Sequence, residues 1–179
     1  MFAPRNGWRK VGTLKTGSIM MKRVFPKKSR SYPVAINIEL KVIVDRCLDR
    51  RFRVAHRRFI KSDLGLTPEN IVPIKRAGGA GPLRLGKKGW KKLPKDLREQ
   101  LELFVKHHPE IRRIILINHE DCRRFDKLRK KGEHRLEKWH LERAVRLVAK
   151  KFPDKEVYGY FGGFVGKKGK IRFKLLARS

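Results

Sequence analysis

Three short apolar runs set the limits on what this chain can fold into: "LKVIV" (40–44), "NIVPIK" (70–75) and "IRRIILIN" (111–118). Each is β-branched and too short for a core helix, so each predicts a buried strand. The first lies inside "PVAINIELKVIVDRC" (33–47), a stretch that ends on Cys47. Segments of helical period separate the runs. Residues 50–66 carry Phe52, Ala55, Phe59 and Ile60 at helical spacing, with Gly65 near the end. Residues 93–108 place Leu97, Leu101, Phe104 and Val105 on one side. A third segment, 131–152, places Leu136, Trp139, His140, Ala144 and Leu147 on its inner face. Two further runs, "EVYGYFGGFV" and "KIRFKLLA", flank "GKKG" and predict a hairpin. The order β-α-β-α-β-α-β-β predicts an α/β fold: a mainly parallel β-sheet flanked by helices, with a C-terminal antiparallel edge hairpin.

Residues 1–32 read as an irregular basic arm, rich in Gly, Lys and Arg, and 33–179 as the α/β domain. No acidic residue precedes Glu39, which suits an organellar presequence, but Pro4, Gly7, Gly12 and Gly17 interrupt any helix there. Met20 or Met21 is an alternative start to Met1. No apolar run is long enough to span a membrane. Two cysteines exclude a disulfide-rich scaffold and allow at most one bridge, Cys47–Cys122, so a reducing, cytoplasmic setting is the expectation.

The chain carries 48 Lys and Arg against 17 Asp and Glu, a formal charge of +31. Ion-pair networks would raise both signs together. Here most basic groups lack an internal partner, and such a surface attracts polyanions. Candidate nucleic-acid contacts are Lys22, Arg23, Lys27, Lys28 and Arg30 in the arm, and Lys87, Lys88, Trp90, Lys91 and Lys92 in "RLGKKGWKK". Further basic runs are Arg123-Arg124, Arg129 to Lys131, and Lys167-Lys168. Trp8 and Trp90 sit among such charges, where an aromatic ring can stack on a base. The plainer reading of each run is a solvated face.

The chemistry centres on "CLDRR" and "NHEDC". Ligands of open parallel sheets bind beyond the carboxyl ends of the strands, where strand order reverses. Cys47 ends the first predicted strand; His119 and Cys122 follow the third. If those strands are neighbours, two cysteines and a histidine converge, a set that suits zinc and leaves a fourth position open. Asp49 and Arg51 are close enough to pair, which would hold the carboxylate off a metal. The plainer alternatives are two small buried hydrophobes and a surface ion pair of little weight.

Cys47, Asp49 and Arg51, then "RAGGAG" around Gly78 and Gly79, then His119 with Cys122, together resemble the β-class carbonic anhydrases. "CLDRRF", "NHEDC" and "FPDKEVYGYF" look like the short bacterial members, over roughly residues 38–165. The resemblance implies a β-carbonic-anhydrase-like fold and a Zn2+ on Cys47, His119 and Cys122. It also implies Asp49 as fourth ligand or paired to Arg51, a substrate-binding loop at Gly78 and Gly79, and a homodimer. The implied activity is that of a zinc lyase, in which zinc-bound hydroxide attacks carbon dioxide or a similar small electrophile. The chain departs from the family at Arg123-Arg124, where a glycine is usual, and in its basic arm. The alternative is a basic RNA-binding or ribosome-associated protein built on the same scaffold.

The remaining candidates have ordinary readings. His107 and His108 end a helix, where cations suit the macrodipole. His56 reads as a helix-surface histidine, and His134 and His140 lack a partner at ligand spacing. Glu120 and Asp121 read as turn residues bonded to nearby backbone. The glycine loop lacks the Gly-Lys-Ser/Thr ending of a phosphate loop.

Overall fold

The computed structural model describes residues 40–84, 86–126, 128, 136–166 and 169–179. The arm, with Trp8, Lys22, Arg23, Lys27, Lys28 and Arg30, lies outside the described residues. So do 33–39 of the first predicted strand, 131–135 of the third predicted helix with His134, the run Arg129 to Lys131, and Lys167-Lys168.

Five strands form one sheet: β1 Val42–Cys47, β2 Ile71–Arg76, β3 Arg113–His119, β4 Glu156–Val165 and β5 Lys170–Arg178. Their order is β2-β1-β3-β4-β5. β1 runs parallel to both β2 and β3, with Val42 opposite Ile71 and Arg113. β3 and β4 are parallel, and β5 returns antiparallel to β4. The chain therefore steps from β1 to one side and then crosses to the other. That reversal places the switch point between β1 and β3, whose carboxyl ends carry Cys47 and His119.

Three helices are described: α1 Arg53–Arg58, α2 Lys95–His107 and α3 Leu136–Lys151. α2 and α3 cover one sheet face. Ile43, Ile74, Ile114 and Leu116 pack there against Leu97, Leu101, Leu141, Val145 and Val148. Each fully buried aliphatic side chain contributes about 1.5–3 kcal/mol. α2 begins after Pro94, carries Asp96 in its first turn and Lys106 and His107 in its last, and stops before Pro109. Charges and proline agree in marking both ends. The other face buries Val44, Ile115 and Ile117 under Phe59, Ile60 and Leu66.

Three details differ from the sequence reading. The segment 50–66 is not one helix. A 3-10 turn at Arg50–Phe52 leads into α1, and a π-turn at Phe59–Asp63 ends at Gly65 with φ 63°. His56 is fully buried rather than on the surface, with ring contacts to Phe52 and Phe173. It shares the inward stripe of Phe52, Phe59 and Ile60, and burial pushes its pKa down to about 3. Trp139 points outward, 43% exposed, with the Arg143 guanidinium over its ring. The buried stripe of α3 runs through His140, Leu141, Ala144, Val145 and Val148, and a side chain one residue before His140 falls outside it.

Candidate metal centre

Cys47 is the last residue of β1, and the alternation of the strand turns its side chain to the same face as Ile43 and Asp45. His119 is the last residue of β3, the strand paired directly with β1. Cys122 follows a turn in which Asp121 takes φ 56°. The Cys47 and Cys122 Sγ atoms lie 3.8 Å apart. Both sulfurs and a His119 ring nitrogen fall within 4.8 Å of one another, all three residues buried.

The donor chemistry fits a zinc ion. Two sulfurs at about 2.3 Å from one tetrahedral ion sit about 3.8 Å apart. His119 Nδ1 lies 2.8 Å from the Glu120 carbonyl oxygen. That oxygen only accepts, so Nδ1 carries the proton. Nε2 is buried with no hydrogen-bond partner, a costly arrangement unless something takes its lone pair. The Phe52 ring stacks on the imidazole at 3.8 Å between centroids and fixes its plane.

The sulfurs are unequal. The hydrogen bond from Cys122 holds the Cys47 thiol well below its usual range, and the Gly78 N–H adds a bond at 3.4 Å. Cys122 is pushed up by that same bond and by burial. Two buried sulfurs this close cannot both be anionic without a nearby cation.

Asp49 is paired to Arg51 and is not one of the three clustered donors. Arg51 holds it through Nε at 3.2 Å and Nη2 at 2.8 Å, and the Arg51 backbone N–H adds 3.0 Å. Asp49 Oδ2 stays 4.0 Å from His119 Nε2. The Arg51 bonds hold the Asp49 carboxyl below its usual range, and the Asp49 and Asp121 bonds push Arg51 upward. Arg51 also bonds Asp121 Oδ2 at 2.6 Å and the Asp121 carbonyl at 2.8 Å. One guanidinium thus ties the end of β1 to the turn after β3. The local reading of Asp121 and Glu120 is corrected here. Asp121 takes this long-range pair, and Glu120 Oε2 accepts the Phe164 N–H at 3.0 Å.

Gly78 and Gly79 sit beside the cluster with φ 92° and 54°. A Cβ on Gly79 would lie 2.6 Å from both Asn118 Oδ1 and the Ile117 carbonyl. The loop is pinned by residues that sequence reasoning missed. Asn118 Oδ1 accepts the Ala80 N–H at 3.0 Å. Arg76 donates to the Gly79 carbonyl and pairs with Asp96 at 2.9 and 3.0 Å. An Asn ending an apolar run and an Arg two residues before a Gly-Gly pair were the signals the sequence carried.

A cleft of 420 Å³ opens over the cluster, lined by Cys47, Asp49, Arg51, Gly78 and Cys122 with Leu48, Arg50, Ala77, Arg123 and Arg124. Lys87, Lys88 and Lys91 are exposed and Lys92 half-buried, and none of them lines this cleft. Trp90, a candidate for base stacking, is already engaged. Its indole N–H donates to Glu102 at 2.8 Å and its ring meets Phe152 edge to face.

Comparisons with solved structures find β-carbonic anhydrases. A tetrameric β-carbonic anhydrase of Sordaria macrospora aligns over 76% of this chain and 81% of its own, at TM-score 0.47 and 14% identity. Isoform I from Trichomonas vaginalis aligns over 83% and 89%, at TM-score 0.48 and 15% identity. The CafA β-carbonic anhydrase of Aspergillus fumigatus aligns over 78% and 77%, at TM-score 0.49 and 12% identity. No protein-family model matches the sequence, and no curated protein matches it.

Proposed function

We propose that this chain is a zinc-dependent, carbonic-anhydrase-like enzyme acting on carbon dioxide or a similar small electrophile. The observation that carries the reading is the convergence of Cys47, Cys122 and His119, with the Nε2 lone pair of His119 unclaimed, beneath a cleft. Cys47, His119 and Cys122 would hold the ion. When bound in such a site, zinc lowers the pKa of a coordinated water toward neutrality and so supplies a nucleophile.

The chain's own residues do the rest. The Glu120 carbonyl and the Phe52 ring fix the imidazole tautomer and plane, which raises the basicity of Nε2. The Gly78 N–H stabilises negative charge on the Cys47 sulfur. Arg51 keeps Asp49 ionised and withdrawn, so the carboxylate can accept a proton-bearing donor at the cleft floor and orient it.

The test pairs metal analysis of freshly purified protein with a stopped-flow carbon dioxide hydration assay. About one zinc per chain is expected, with hydration faster than buffer and rising with pH. Absence of zinc after purification under reducing conditions and zinc supplementation overturns the metal reading. Zinc-loaded protein no faster than buffer overturns the activity.

A further inference from the structure

The cleft above the cysteine–histidine cluster carries more positive charge than a small neutral substrate calls for. Besides Arg51, its walls hold Arg50, Arg123 and Arg124. The carboxylates of this rim are already engaged: Asp49 and Asp121 by Arg51, and Asp96 by Arg76. Among the described residues, no carboxylate pairs with Arg50, Arg123 or Arg124.

Arg124 is positioned rather than free to sweep the surface. Its Cγ lies where a side chain on Gly78 would begin, 2.8 Å from a built Cβ, so its stem crosses the glycine loop. Arg124 lines two cavities. One is the cleft over the cluster; the other, of 610 Å³, is lined by Arg76, Pro82, Arg84, Lys95 and Asp96. Arg84 has no carboxylate partner among the described residues either. The two cavities are neighbours that share Ala77 and Arg124, and each sets Arg124 beside at least one other arginine.

We propose that this double cleft binds a ligand bearing two linked phosphate groups, one in each cavity, with Arg124 between them. A guanidinium offers a planar fork of donors that suits phosphate oxygens. A carboxylate has two oxygens and would leave donors unused in a cleft with several forks. A phosphate has more oxygens to offer. The inference goes beyond the metal reading and does not depend on it, since neither cavity wall requires an ion. The shared chemistry is the phosphate group, whether it comes from a small pyrophosphate compound or from an RNA backbone.

Isothermal titration of the full-length protein tests this at about 150 mM salt, where generic charge attraction is screened. The probes are sodium pyrophosphate, ADP and a short single-stranded RNA, each measured on zinc-loaded and chelator-treated protein. Pyrophosphate is expected to bind, and Arg123→Gln with Arg124→Gln to weaken it roughly tenfold or more, the scale of lost charge-assisted hydrogen bonds. Arg84→Gln alone should weaken it as well, from the second cavity. Arg57→Gln with Lys61→Gln removes the same charge elsewhere and should leave affinity within about twofold. Circular dichroism verifies that each variant is folded. Binding that persists in chelated protein separates this inference from the fate of the metal site. RNA binding with the same arginine dependence, exceeding that of ADP, identifies the phosphate source as a nucleic acid. No binding by any probe, or equal weakening by the rim and control variants, overturns the proposal.

Discussion

Gly79 is a residue whose replacement the site tolerates poorly. Its φ of 54° lies in the left-handed region, and a methyl group there meets a backbone carbonyl. Gly79→Ala should cost about 1–2 kcal/mol from the backbone alone, plus whatever shift relieves the contact. A lower urea midpoint together with reduced zinc content is the expected outcome. At the proposed metal donors, Cys47→Ser, Cys122→Ser and His119→Ala should each abolish metal retention, read by elemental analysis. Arg51→Ala differs. It releases Asp49 and uncouples Asp121 without removing a ligand, so zinc should remain while hydration slows. The residue types of the cluster were legible in the sequence because cysteine is scarce here and His-x-x-Cys is compact. What was not legible is Arg51 reaching Asp121, 70 positions away, since pattern reading sees only local partners. Asn118 was missed for the same reason, since the Ala80 N–H it accepts is 38 positions away, and Arg76 because its carboxylate partner Asp96 is 20 positions away.

Among the elements, the apolar periods located all five strands and both long helices, because buried faces repeat at 2.0 and 3.6 residues. They failed where period and packing diverge. The 50–66 segment bends through three helical geometries, and Trp139 carries an apolar ring on the solvent side of α3. Leu101→Ala on α2 tests the packing directly. A fully buried leucine there should cost about 2–5 kcal/mol, seen as a shifted denaturation midpoint. His140 on α3 supplies a pH signature. Its Nδ1 accepts the Leu83 N–H at 3.1 Å, and burial, with Arg143 nearby, depresses its pKa to about 4. The unfolded chain therefore binds the extra proton first. The stability that His140 contributes is complete above about pH 6.5 and is lost as pH falls toward 4. Chelated protein should lose stability between pH 7 and 5 more steeply than a chelated His140→Gln variant. Equal slopes would mean that His140 is not the group responsible.

For the molecule as a whole, the charge of +31 is a property that composition announces and the fold only distributes. Zinc binding should show itself globally. An ion that binds only the folded chain adds about 1.4 kcal/mol for each tenfold of free ion above its dissociation constant. Thermal melts should fall by several degrees on chelation and recover with zinc, while Cys47→Ser should respond to neither. The pairing of β1 with β3 at the centre of the sheet has a consequence for how the chain comes into being. Cys47 and Cys122 are 75 positions apart, and β2 with α2 must be threaded between them before β3 exists. During synthesis the first sulfur leaves the ribosome long before its companions, and stays a solitary thiol until the middle of the sheet closes. The donor cluster is therefore a timestamp. It appears only once β3 has paired with β1, and a chain that stops before His119 holds one of the three donors.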